Sequence, residues 1–175
     1  QVIFSYSDIS HEELMHRGSE VLAAGADFVL PNPEKTMLAS RLPVIGICAV
    51  RTGCGKSQLA RWIAAIARTA GLCAGAIRHP MPYGNPLRQV AQRFVCREDL
   101  LGANCTIEER EEYEPHLEAG SIVYTGIDYA RILAQAESES DLLIWDGGNN
   151  DLSFIRPDLL IVLLDPLRPG HELRY

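Results

Sequence analysis

Short apolar runs alternate with amphipathic stretches along this chain, and the two periods predict where strands and helices fall. Val2-Ile3-Phe4 and Phe28-Val29-Leu30 read as strands on either side of a helix. That helix opens on the capping box Ser10-x-x-Glu13, carries Leu14, Met15, Val21 and Leu22 at helical spacing, and stops at Gly25. Pro31-Asn32-Pro33 breaks the chain. A continuous apolar run from Leu42 to Val50 predicts a buried strand, followed by a glycine-rich turn and a helix with Leu59, Trp62, Ile63 and Ile66 on its apolar face, ending near Gly71. Ala74 to Ile77 is a short strand, the region of Pro80-x-Pro82 and Gly84-x-Pro86 is loop, and Gln89 to Arg93 reads as a helical turn.

The second half repeats the alternation. Thr106-x-x-Glu109 is a second capping box, predicting a short exposed acidic helix ahead of the Pro115 break. Ser121 to Tyr124 is a strand, and Ile127 to about Glu139 a helix through Ile132, Leu133 and Ala136. Leu142 to Trp145 and Leu159 to Leu164 are unbroken apolar runs of the kind buried on both faces of a parallel sheet. Each is followed by an aspartate, Asp146 and Asp165. The expected fold class is therefore α/β, a doubly wound, mostly parallel sheet with functional loops at the carboxyl ends of its strands; Gly53-Cys54-Gly55-Lys56-Ser57 between a buried strand and a helix makes it of the P-loop NTPase type. Residues 1–40 read as the C-terminal part of a smaller α/β unit, and 41–175 as a nucleotide-binding domain whose C-terminal strands are missing.

Composition narrows the functional classes. A net charge of −7 over 175 residues argues against general affinity for nucleic acid or an anionic membrane. The acidity is uneven: between Thr106 and Glu118 stand Glu108, Glu109, Glu111, Glu112, Glu114 and Glu118 against Arg110 alone. The rest of the chain is nearly balanced. This Glu-rich segment is a solvated face, a lid or a partner surface. Five cysteines, an odd number without C-x-x-C, fit a reduced cytosolic protein. No window approaches the roughly 18 apolar residues of a membrane span, so the expectation is a cytoplasmic protein that touches neither membrane nor nucleic acid.

Between the predicted strand and helix lies Arg51-Thr52-Gly53-Cys54-Gly55-Lys56-Ser57. Glycines at these positions let successive backbone amides curl toward phosphate oxygens, Lys56 then reaches the β- and γ-phosphates, and Ser57 is placed to ligate Mg²⁺. The first glycine usual in a P-loop is replaced by Val50. Arg51 stands where Min-type ATPases carry an extra lysine, and reads either as a phosphate-bridging cation or as a surface arginine bound to its own loop. Asp146 opens Gly147-Gly148-Asn149-Asn150-Asp151 and fits a Walker B carboxylate supporting the metal; Asp165, ahead of Pro166, is the second choice. The candidate catalytic set is Lys56, Asp146 and Arg51.

An anionic acceptor requires cations, and Arg78 with His79 after one strand, and Arg168 with His171 after another, supply them at the same sheet edge. Arg88 and Arg93 follow the first pair, and Asn149, Asn150 and Asp151 offer hydroxyl contacts. Cys54 reads as a small filler or a redox switch, and His11, His16 and His116 receive no role.

These loops together resemble one family. Val50 to Ser57, Arg78-His79-Pro80-Met81-Pro82-Tyr83-Gly84, Thr106 to Pro115, Trp145 to Asp151, Asp165-Pro166-x-Arg168-Pro169-Gly170-His171-Glu172, and Tyr6-Ser7-Asp8 with Ser10-His11-Glu12 look like the cyclic 2,3-diphosphoglycerate synthetase family. The resemblance also accounts for Val50. It implies ATP-dependent closure of an intramolecular phosphoanhydride in 2,3-diphosphoglycerate, with ADP and phosphate released. Mg²⁺ or K⁺ dependence, a cytoplasmic homodimer and further chain at both ends are implied with it. A rival reading is an ATPase or GTPase switch that transfers phosphate only to water, and a third is an interaction module whose turn binds an anion for structure alone.

Overall fold

The computed structural model describes residues 1–4, 9–79, 81, 87, 89–149 and 152–168. In chain order the elements are β1 (Val2–Ile3), α1 (His11–Ala23), β2 (Phe28–Val29), α2 (Pro33–Thr36), β3 (Val44–Ala49), α3 (Lys56–Thr69), β4 (Ala74–Arg78), β5 (Gln92–Phe94), α4 (Arg97–Gly102), α5 (Ile107–Glu118), β6 (Ile122–Thr125), α6 (Tyr129–Glu139), β7 (Leu142–Asn149) and β8 (Leu159–Leu163). β1 and β2 form a two-stranded parallel sheet beside α1. The other strands form one six-stranded sheet in the order β5-β6-β4-β7-β3-β8. All its pairings are parallel except β5 with β6, so the fold is α/β with a mostly parallel sheet. The segment linking the two sheets is held where Leu38 N–H donates to the Phe154 carbonyl (2.8 Å) and Arg156 N–H to the Leu38 carbonyl (2.8 Å).

Side chains alternate across the strands, which divides the core between two faces. Leu143 and Trp145 of β7 and Ile77 of β4 join Ile132, Leu133 and Ala136 of α6. Ile144 of β7 and Ile47 of β3 instead meet Ala60, Ala64 and Ala67 of α3, while Ala76 packs with Phe94, Leu100, Tyr113 and Val123 beneath α4 and α5. Asp146 and Arg78 follow the same alternation as Ile144 and Ala76, so both belong to the face covered by α3 and α5.

Several elements differ from their sequence expectation. The buried stripe of α3 is Ala60, Ala64 and Ala67, whose small side chains allow the helix to lie close on β3 and β7; Trp62 stays 65% and Ile66 52% exposed. Gln89 to Arg93 is not a helical turn. Gln92–Phe94 is an antiparallel edge strand, held through its partner β6 and through Arg93, whose Nε donates to Glu139 (2.8 Å). The acidic helix runs through Pro115 to Glu118, because Tyr113 and His116 are both buried under it and anchor the turns on either side of the proline. The apolar run of β8 is not enclosed: it lies at the sheet edge, with Val162 50% exposed. Among the described residues no helix is long and apolar enough to cross a membrane.

Candidate functional site

β3, flanked by β7 and β8, delivers the chain to the glycine-rich turn. Val50 N–H donates to the Leu163 carbonyl (3.2 Å), and the backbone then curls through Gly53 at φ +86° and Gly55 at φ +92°. Both values lie in the left-handed region, where a Cβ is strained, so the two glycines are conformational requirements of the turn. α3 begins immediately at Lys56; its N-cap, Gly55, offers no side-chain cap, and its first turn holds no acidic residue. Neither the N-cap nor the first turn thus sets a negative charge against the positive end of the helix dipole.

The end of β8 lies beside this turn. The Arg168 guanidinium donates from Nη2 to the Thr52 carbonyl (3.2 Å) and from Nε to Asp165. That bond, with the Leu167 amide and the Arg51 charge, holds the Asp165 carboxyl below the ordinary aspartate range. Arg51 is half-buried, and its Nε has no protein partner.

On the other side, β7 brings Asp146 into register with Ile47 of β3 and with Arg78 of β4. Asp146 is fully buried. Its Oδ2 accepts from Arg78 Nη1 and lies 2.9 Å from His116 Nε2 of α5, while its Oδ1 has no protein partner. Burial pushes this carboxyl up, but the His116 hydrogen bond and the Arg78 charge together outweigh it and hold it below the ordinary value. The other terminal nitrogen of Arg78, Nη2, pairs with Glu112 of α5. Lys56 shares the locality: burial lowers its ammonium pKa, the attraction of Asp146 opposes that, and the repulsion of Arg78 adds to it. Trp145, adjacent, lies across Gly147 so closely that a Cβ there would fall 1.9 Å from the indole ring.

The structure therefore groups Lys56, Arg78 and Asp146, and gathers Arg51, Thr52 and Arg168 around the glycine turn. Cys54 and Ser57 are half-buried in the turn and the first turn of α3. His79 is exposed just past β4, and Asn149 ends β7 opposite Ala49. Arg93 is committed to Glu139, at the β5 edge. His171, Arg88, Asn150 and Asp151 lie outside the described residues, as do Tyr6-Ser7-Asp8, Pro80, Pro82-Tyr83-Gly84 and Pro169 to Glu172. Among the described residues no group of three or more His, Cys, Asp or Glu side chains is placed to hold a metal.

Sequence reasoning passes over Glu112 and His116. A signal exists: Glu109, Tyr113 and His116 recur at one helical face, and all three are buried. It is masked by the surrounding glutamates, which make α5 look uniformly solvated.

No family model matches the chain. It is 58% identical over 174 residues to a protein named arginine synthetase ArcE from Thermococcus kodakarensis. The alignment takes in 99% of this chain but 39% of that relative, so the likeness is to one segment of a longer protein. The relative's name differs from the cyclic 2,3-diphosphoglycerate synthetase to which the loops bear a resemblance, and the class the two names share is that of a synthetase.

Proposed function

We propose that this chain is the nucleotide-handling segment of an ATP-dependent ligase. The observation that carries the reading is the pairing of a left-handed glycine turn, which opens a helix at Lys56, with a buried carboxylate one strand away whose Oδ1 has no protein partner. The backbone of Arg51, Thr52, Gly53, Cys54, Gly55 and Lys56 receives the phosphates, with the Lys56 ammonium on the β- and γ-oxygens. Arg51, whose charge is felt by Asp165, adds positive charge at the same turn.

An unpartnered, buried Asp146 oxygen and the Ser57 hydroxyl suit a nucleotide-borne Mg²⁺, a hard cation that takes few protein ligands and keeps several waters. When bound, that ion neutralises the phosphate oxygens and favours transfer of the γ-phosphoryl group. Lys56 then stabilises the charge that develops on the departing ADP oxygen.

For the acceptor, charge decides between the two synthetase chemistries. Arg78 is already paired with both Asp146 and Glu112, so its positive charge on this wall is offset. A wall so balanced disfavours a polyanion such as 2,3-diphosphoglycerate and favours a neutral or cationic acceptor. An arginine-forming ligation, as the relative's name has it, must make a guanidino C–N bond. In that chemistry the γ-phosphoryl passes from ADP oxygen to the oxygen of a ureido-type acceptor. A nitrogen nucleophile then attacks the carbon and loses a proton, and inorganic phosphate departs with the acceptor oxygen. His79, Asn149, Arg168 and His171 are the residues we assign to the acceptor side, with Arg78 acting through Asp146.

Calorimetric titration with ATP and Mg²⁺ tests the nucleotide site: Lys56→Ala is expected to weaken binding roughly 10–100-fold, the loss for a hydrogen bond to a charged group. Unchanged affinity overturns it. Phosphorus NMR of the protein with ATP, Mg²⁺ and either a ureido amino acid plus ammonia or 2,3-diphosphoglycerate separates the acceptors. Phosphate release stimulated by neither leaves hydrolysis to water, the switch reading, in its place.

A further inference from the structure

His116 is a histidine with almost no exposure in a helix whose sequence is otherwise dominated by glutamate. It stands on the first turn after Pro115, three residues beyond Tyr113 on the buried face. Its Nε2 lies 2.9 Å from Asp146 Oδ2, the same oxygen that accepts from Arg78 Nη1. Two donors from two different elements, α5 and β4, thus converge on one oxygen of a carboxylate that sits on a third, β7. The second oxygen has none.

That asymmetry is informative. A fully buried carboxylate oxygen without a donor is costly relative to a satisfied one, so folding alone would favour one donor on each oxygen. The arrangement instead fixes the carboxylate's rotation and leaves Oδ1 without a protein donor, in the same locality as Lys56, whose ammonium Asp146 attracts. Because ionised Asp146 only accepts, His116 Nε2 is the protonated nitrogen of this pair. Glu112, one turn earlier on α5, holds the far end of Arg78. The Glu-rich helix thereby reaches Asp146 twice, directly and through the guanidinium.

We infer that His116 is a positioning residue of the nucleotide site: from α5 it holds Asp146 in the rotation that presents Oδ1 to a divalent cation arriving with the nucleotide. This rests on the reading of the glycine turn as a nucleotide site. Carboxylates that meet metals are oriented by such outer partners, whose loss weakens metal affinity about 10–100-fold. The same helix is therefore part of the site and not a solvated insert.

The test measures Mn²⁺ retention by paramagnetic resonance of the 175-residue chain with ATP, alongside ATP affinity without a divalent ion. In His116→Leu, Mn²⁺ affinity in the ternary complex is expected to fall about 10–100-fold while metal-free ATP affinity stays within about twofold. His116→Gln, whose amide N–H replaces the Nε2 donor, is expected to restore most of the loss. A merely structural histidine would move both affinities together and would not be rescued in this split. Equal Mn²⁺ affinity in wild type and His116→Leu overturns the inference alone, whereas a wild type that binds no ATP overturns the nucleotide reading and this inference with it. If His116→Leu does not fold by circular dichroism, nitrogen NMR of the wild-type imidazole decides: a shift on adding Mg²⁺ to the ATP complex is expected, and none overturns the proposal.

Discussion

At the scale of single residues, the site is built from side chains that have little freedom to be anything else. Gly147 is the clearest case. Trp145 and Gly147 lie on the same face of β7, and the indole fills the space that a side chain at 147 would need. Gly147→Ala must displace the ring from a core it shares with Phe154 and Leu143, and overpacking of this kind costs about 1–3 kcal/mol or more. Thermal unfolding is expected to show that loss, and an unchanged midpoint would mean the ring does not lie there. Gly46 offers a contrast: its added Cβ meets Leu160 and Pro157 no closer than 3.1 Å, a contact that small shifts relieve. The glycines of the turn, Gly53 and Gly55, are constrained by backbone conformation, a different cause from the crowding at Gly147.

Elements show how local patterns and long-range packing share control. Ser10, Thr106 and Asp128 each cap the helix that follows them, and the first two were readable from a serine or threonine with glutamate three residues on. The strand–turn–helix around Lys56 was equally legible, since its glycines and apolar run are local signals. What escaped was decided by partners distant in sequence. β5 exists because β6 offers it an edge, and α3 buries alanines because β3 and β7 come close, neither of which periodicity encodes. His116 was passed over because Asp146, the partner of its imidazole, is 30 residues away.

The same long reach ties α6 to the segment before β3. Glu137 accepts from the Arg41 backbone N–H (2.6 Å), Arg41 Nε (2.8 Å) and Ser40 Oγ (3.1 Å), and its side chain is 8% exposed. Burial pushes this carboxyl up, but the Arg41 amide and guanidinium outweigh it, so its folded pKa lies below the ordinary glutamate value. A depressed carboxyl contributes stability above its unfolded pKa and loses it as pH falls. Wild type is therefore expected to melt above Glu137→Gln at pH 7, with the gap closing as pH drops below about 4.3. A gap of the same size at low pH would refute the ion-paired role.

For the whole molecule, distribution of charge matters more than its sum. The carboxylates of α5 account for most of the net charge of −7, yet two residues of this helix, Glu112 and His116, converge on the Arg78–Asp146 pair while Arg51 and Arg168 stand at the glycine turn. In the proposed reading, one end of the sheet receives phosphates at the turn, beside a wall whose charges are already paired. The chain also holds two tryptophans, and they are placed as opposites: Trp145 next to Asp146 with 1% exposure, and Trp62 out on α3 with 65%. That contrast makes the protein its own optical probe. Acrylamide should silence the emission of Trp62 and leave that of Trp145, so any change in the surviving signal on adding ATP and Mg²⁺ reports from the residue beside the carboxylate itself. A quenched spectrum indifferent to the nucleotide would instead place ligand arrival away from β7.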